Sequence, residues 1–290
     1  MELPLVVGVD GSDGSLTALD WAVDEAARLG LPLRIVYASL WERYEGSVPS
    51  FGGERPADEV MAERVVASAE QRARKRAPDV KVQPVVVPED AVPALVQESH
   101  EASALVTGSS GRGAVKGLLL GSVGLSVAGR AHCPVTVVRG EDRNVQGRCG
   151  RIVVGVGEPG ESAATIRFAL REAEARGCEL RAVRAWRCAE QHPADRTALA
   201  GDTAYAHEQR ASAFLAEALS GPQGEHPQVT VHRTPVEGRA HRVLVDLSAD
   251  ADLLVLGAAG RQGRVGLQLG RVSHTALHHA ACPVAVVPHA

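Results

Sequence analysis

The chain has 290 residues, a formal net charge of −4 and a pI near 6.3, with 45% hydrophobic and 23% charged residues. This suits about two domains of soluble, globular composition, and the acidic balance excludes a basic nucleic-acid-binding stripe. No apolar run approaches the roughly 20 residues that span a bilayer, so no membrane role is expected. The amino end, MELPLVVGVD, lacks the basic region of a signal peptide. Five cysteines, odd in number and in no C-x-x-C pair, fit reduced thiols in the cytoplasm.

LPLVVGVD (residues 3–10) is a short, nearly all-apolar run of the kind expected for a strand buried on both faces. TALDWAVDEAARLG follows, with Leu19, Ala22, Val23, Ala26 and Ala27 at helical spacing and Gly30 as the stop. LPLRIVYA is a second strand. The loop SLWERYEGSVPSFGGERP, with Trp41, Tyr44 and Phe51, reads first as a packed covering loop and second as a lid over a site. EVMAERVVASAEQRARKRA is predicted to be a helix, VKVQPVVV a third strand, AVPALVQESHEA a helix and SALVTGS a fourth strand. A last helix starts near Ser122, and PVTVVR forms a fifth strand. Strands alternating with helices predict an α/β fold, a parallel sheet covered on both faces.

The whole pattern then returns. VVGVDGSDGSLTALDWAVDEAARLG at Val6 reappears as VVGVGEPGESAATIRFALREAEARG at Val153, an offset of 147. SALVTGSSGRG at Ser103 and AHCPVTVV at Ala131 reappear as DLLVLGAAGRQG at Asp252 and AACPVAVV at Ala280, offset by 149. An offset of half the chain is a duplicated domain rather than a solenoid period. The expected organisation is a first domain over 1–140, a polar linker over 141–150 (GEDRNVQGRCG extends one residue before it) and a second domain over 151–290.

Gly108–Ser122, GSSGRGAVKGLLLGS, joins strand four to the last helix. Its Lys116 is followed by glycine, so it is not the G-x-x-x-x-G-K-[ST] phosphate loop. Glycines let a backbone turn tightly and approach a ligand closely. Amides at a helix amino end then favour an anion, with Ser122 placed to cap the helix or to offer its hydroxyl to a phosphate.

The arrangement G-x-x-G, nine residues, G-[ST], lying after VVGVD and before CPVTVV, resembles the universal stress protein family, and both halves carry it. The resemblance implies two tandem five-stranded parallel sheets of the adenine-nucleotide α-hydrolase-like, Rossmann-like class. It also implies ATP as ligand. In the first copy the implied contacts are Gly8, Val9, Asp10, Ala38, Thr107, Gly108, Ser110, Gly111, Gly121, Ser122 and Val123. Ala38 would meet adenine through its backbone, and Asp10 would face ribose, phosphates or a nucleotide-bound Mg²⁺. The second copy departs from the pattern. Val156, Ala185, Leu256, Gly257, Gly260, Gly270 and Val272 keep their places, but Gly157 replaces Asp10 and Arg271 replaces Ser122. A weaker or altered second site is expected, because a cation at a helix amino end opposes the dipole.

Other features read as structural. Cys133 and Cys282, each before a proline at strand five, are expected as small buried hydrophobes. His274 and His278 stand four apart, but with no H-E-x-x-H arrangement they read as surface histidines. RARKR (72–76) reads as a helix-end charge cluster. No catalytic triad or G-x-S-x-G elbow is present, so no catalytic residue is assigned. The expected function is a nucleotide-sensing regulator that acts on an unidentified protein partner. The alternatives are a weak ATP hydrolase or a ligand-free structural module. Internal pairing of the two copies, and a homodimer, both agree with the family pattern.

Overall fold

The computed structural model describes residues 2–39, 57–111, 121–158, 162–187, 200–258 and 269–288. The aromatic loop with Trp41, Tyr44 and Phe51, together with Lys116, Gly260 and His289, lies outside them. The described residues fall into two compact units, the first ending at Arg139 and the second beginning at Gly140.

In unit one, β1 (Leu5–Gly8), β2 (Leu33–Ala38), β3 (Val82–Val87), β4 (Ala104–Gly108) and β5 (Val135–Val138) form an all-parallel sheet in the order β3-β2-β1-β4-β5. Its helices are α1 (Asp13–Leu29), α2 (Ala57–Arg76), α3 (Ala91–Glu98) and α4 (Ser122–Ala128). The central strands β1 and β4 are apolar because helices cover both faces, and Val6, Val7, Leu105 and Val106 are fully buried. The expected α/β class and the parallel sheets are what the chain adopts.

Helix α1 starts at Asp13, four residues before the periodic run at Thr17. Ser12 caps it, its Oγ accepting from the Ser15 amide at 3.2 Å, so the cap rather than the apolar period fixes the start. Gly30 ends it in the left-handed conformation, φ 69°, as the Gly stop predicts. The expected helix over 91–102 is α-helical only to Glu98, and a 3₁₀ turn (Ser99–Glu101) finishes it. The basic run RARKR is accounted for by docking. Arg72 and Arg76 each make a bidentate contact with α1, to Asp20 at 2.6 and 2.7 Å and to Asp24 at 2.6 Å twice.

Unit two repeats the plan. Strands β6 (Arg151–Gly155), β7 (Glu179–Trp186), β8 (Val231–Glu237), β9 (Leu253–Gly257) and β10 (Val284–Val287) are parallel in the order β8-β7-β6-β9-β10. A short turn, α5 (Asp142–Val145), precedes them, and α6 (Ala163–Arg176), α7 (Ala200–Glu225), α8 (Ala240–Leu247) and α9 (Arg271–His279) are its helices. None of the described helices is long and apolar enough to cross a membrane.

The polar segment before β6 is fastened to unit two rather than loose. Gly140 has φ 102°, and a Cβ there would stand 2.1 Å from the Ala281 carbonyl oxygen, so only glycine fits. The fully buried Asn144 amide donates to the carbonyls of Ala249 and Ala251 at 3.0 and 2.7 Å. The buried Asp252 carboxylate accepts from three successive amides, Cys149, Gly150 and Arg151, at 2.7, 2.8 and 3.2 Å. In the first copy Ser103 stands at this place and makes one hydroxyl contact, to Pro4 O.

Two predictions follow from these buried groups. Asp252→Ala strands three amides, and hydrogen bonds to a charged group contribute about 1.5–3 kcal/mol each in favourable cases. Urea unfolding should show unit two destabilised by about 3 kcal/mol or more, whereas Asp250→Ala, at an exposed surface pair, should change it by under about 1 kcal/mol. Second, burial pushes the Cys133 thiol up to about 12, so it stays protonated at neutral pH. Iodoacetamide at pH 8 should leave Cys133 unlabelled in the native chain and label it in denaturant, as read by peptide mass spectrometry.

Candidate functional site

In each unit the strand order reverses beside the first strand. In unit one β1 leads to β2 and β3 on one side, and the chain then crosses to β4 on the other. Loops leaving the carboxyl ends of β1 and β4 diverge there, and a crevice opens between them. The last β1–β4 partners are Val7 and Val106. The segments after them, residues 8–14 and 107–111, therefore form the two walls.

The walls are held together at close range. A Cβ on Gly14 would stand 2.4 Å from the Ser110 carbonyl oxygen, and one on Gly108 would stand 2.6 Å from the Gly14 oxygen. Two glycines thus let the start of α1 lie directly on the loop after β4. Asp10 follows β1; its Oδ1 accepts from the Ser12 amide at 2.9 Å and from the Ser12 hydroxyl at 2.6 Å. These contacts fix the carboxylate. Its Oδ2 lies 2.8 Å from where a Cβ on Gly111 would stand, so the acid faces the glycine loop. On the far side of the loop the Gly121 amide donates to Ser109 O at 2.7 Å. Gly121 is the N-cap of α4, and Ser122 and Val123 form its first turn, with Ser122 exposed. Gly8 and Ala38 end β1 and β2 at the same edge, and Val9 is buried beneath them.

One carboxylate, held by Ser12 and turned toward backbone amides, is a donor set that fits a hard cation shared with phosphate oxygens. Asp10 would hold such an ion, and the ion would neutralise phosphate charge beside the carboxylate. Elsewhere the ligand count falls short. His274 and His278 lie with ring centroids 4.7 Å apart, but among the described residues no group of three His, Cys, Asp or Glu side chains could hold a metal.

Unit two forms the corresponding crevice between β6 and β9. A cavity of about 430 Å³ occupies it, and Val156, Gly157, Ala185, Leu256, Gly257, Gly270, Arg271 and Val272 all line it. Every second-copy residue expected from the motif, apart from Gly260, is thus brought to one cavity. Its lining also includes Ser162, Thr165, Arg184 and Leu244, which the motif does not mark. Arg184 brings a cation to this cavity: its guanidinium donates to the carbonyls of Val156 and Gly157, pairs with Glu158 at 3.0 Å and lies 4.6 Å over the Phe214 ring. The sequence gives no signal that separates it from Arg181, the other arginine of the same strand, ELRAVRAW. At Gly157 a Cβ would meet nothing nearer than Ser162 Oγ at 3.7 Å, so the missing carboxylate is not a matter of space.

The strand-to-helix junction also differs between the copies. In unit one the Thr107 hydroxyl is buried with no hydrogen-bond partner among the described residues, and a Cβ on Gly124 would stand 3.2 Å from it. In unit two the strand position is Leu256, and the hydroxyl sits on the helix as Ser273, which donates to Gly257 O at 3.0 Å.

Comparison with known proteins agrees with this architecture. The model of the universal stress protein family matches residues 3–139 and 149–288. A universal stress protein of Mycobacterium tuberculosis (strain ATCC 25618 / H37Rv) is 38% identical, covering 97% of this chain and 96% of that protein. The crystal structure of a universal stress protein from Archaeoglobus fulgidus DSM 4304 superimposes with a TM-score of 0.67 at 19% identity, covering 99% of this chain and 96% of that one. A universal stress protein crystallised in complex with cAMP is 33% identical, covering 48% of this chain and 98% of that one, with a TM-score of 0.34. The chain belongs to the universal stress protein family, and it carries the family's domain twice.

Proposed function

We propose that the chain is a cytoplasmic adenine-nucleotide-binding regulator of the stress response, which holds ATP in unit one and passes its state to a protein partner. The observation that carries this reading is the convergence at one switch point of Asp10, the loop Gly108–Gly111 and the amino end of α4 at Gly121–Val123. Backbone amides at that end suit phosphate oxygens. Asp10 suits a nucleotide-bound Mg²⁺, and the backbone of Ala38, at the end of β2, suits the adenine edge. Family membership supports the same ligand class.

Unit two is the weaker partner in this reading. It lacks the Asp10 carboxylate and the Ser122 hydroxyl, losses of about 1.5–3 and 0.5–1.5 kcal/mol, which correspond to one to three decades of affinity. Calorimetric titration with Mg-ATP tests the assignment. A Cβ on Gly121 would meet only atoms at 3.6 Å or beyond, an ordinary contact, so Gly121→Ala should leave the fold intact. Its methyl would nevertheless crowd the phosphate approach and abolish tight binding. Gly270→Ala should leave tight binding nearly unchanged; the reverse pattern would move the working site to unit two.

Among the described residues, the groups offered in unit one are amides, hydroxyls and one carboxylate, which hold ground-state phosphates. Fast hydrolysis also needs a group that positions water and others that neutralise developing charge. ATP should therefore be retained through purification and released on denaturation, as read by mass spectrometry. Steady-state phosphate release near the typical enzyme rate of about 10 per second would instead identify the chain as an ATPase.

A further inference from the structure

A second cleft of about 640 Å³ opens at the carboxyl edge of unit two, beside the 430 Å³ cavity but on the other side of the α8 amino end. Ala240 and Leu244 of α8 line the cavity, whereas Arg239, Arg242 and Asp246 line the cleft, together with Arg187 and Glu237 from the ends of β7 and β8. All three arginines are exposed. Two carboxylates share the cleft with them, yet among the described residues none of the three guanidinium groups makes an ion pair or a side-chain hydrogen bond.

The matching place in unit one has the opposite sign. Val236 pairs with Ala185 as Val87 pairs with Ala38. Gly238, Arg239 and Arg242 therefore stand where Glu89, Asp90 and Pro93 stand. Asp90 and Arg239 are both helix N-caps. An acid there suits the helix dipole, whereas a cation opposes it. Arg239 thus breaks a local stability rule, lies beside two further cations, and gains no side-chain partner among the described residues. Residues that break local rules without compensation in the fold mark function.

We infer that the cleft lined by Arg187, Arg239 and Arg242 is an anion site of unit two that takes a phosphate chain without a metal ion. Guanidinium groups match phosphate oxygens through paired N–H donors, and three of them against Glu237 and Asp246 leave a net positive cleft. A multiply charged phosphate therefore fits better than a monocarboxylate. The chain could arrive as a free phosphate compound or as the tail of a nucleotide seated in the neighbouring cavity, since the two spaces flank one helix end.

The test is titration of inorganic tripolyphosphate, in EDTA, into three full-length proteins: the intact chain, Arg239→Gln/Arg242→Gln, and Arg130→Glu. Arg130 is an exposed arginine of unit one, and both variants lower the net charge by two. Since every substituted residue is exposed, circular dichroism melts should show both variants folded, the double variant no less stable than the intact chain because it removes a cation from the helix amino end. The intact chain should bind, the double variant should bind at least about tenfold more weakly, and Arg130→Glu should stay within about twofold. Raising salt from about 0.1 M to 1 M, where the Debye length falls from about 10 to 3 Å, should abolish binding. Saturating ATP distinguishes the two sources. Displacement of tripolyphosphate identifies the nucleotide tail, and undisturbed binding identifies a free phosphate compound. No binding by the intact chain, or equal loss in both variants, would overturn the site. Either result would leave Mg-ATP binding in unit one as a separate question.

Discussion

The reversal of strand order beside the first strand of each unit is the constraint on which the rest depends. Parallel neighbours that continue in opposite directions cannot share a covering loop, so their carboxyl ends part and leave a crevice. In unit one the candidate ligand groups collect there: the fixed carboxylate of Asp10, the glycines that let α1 and the loop after β4 touch, and the amides at the head of α4. Because the sheet is buried on both faces, its apolar strands set the position of this edge, and loop composition then sets what the edge can hold.

The two copies show how far one scaffold can be retuned without disturbing the sheet. Strand order and register repeat, and Leu95 and Leu244 sit in the same way against Gly8 and Gly155. The crevice chemistry does not repeat. A carboxylate in unit one gives way to a backbone carbonyl satisfied by Arg184 in unit two, and a small hydroxyl gives way to Arg271. One end of the same fold therefore presents an acid that calls for a cation, and the other presents cations of its own. These are differences in charge on a repeated scaffold, which is why a family-level match holds across both halves while the side chains at the two crevices differ.

Much of this was legible in the residues. Apolar runs bounded by helical periods specify parallel strands, and the paired offsets specify duplication. The glycine spacing located the crevice, because such loops need backbone freedom that other residues lack. What stayed hidden came from neighbouring elements. Arg184, Ser162, Thr165 and Leu244 reach the cavity through the register of β7 and the placement of α6 and α8, and no short motif contains them. The start of α1 was missed because a side-chain cap, not the apolar period, decides it. Asp252 and Asn144 were missed because a segment read as a linker is held by contacts about a hundred residues distant in sequence.

The hydroxyl at the strand-to-helix junction bears on how such a duplicated gene can change. Unit one carries Thr107 with Gly124, and unit two carries Leu256 with Ser273, so each copy has one hydroxyl where two would crowd and none would leave Gly257 O without its side-chain donor. An exchange of loop and helix between copies by recombination would produce the two mismatched combinations, Thr with Ser and Leu with Gly. The halves are therefore no longer interchangeable parts. Gene conversion, which tends to keep tandem copies alike, would carry a matched pair only where its tract covers both positions, so the two residues are tied to change together.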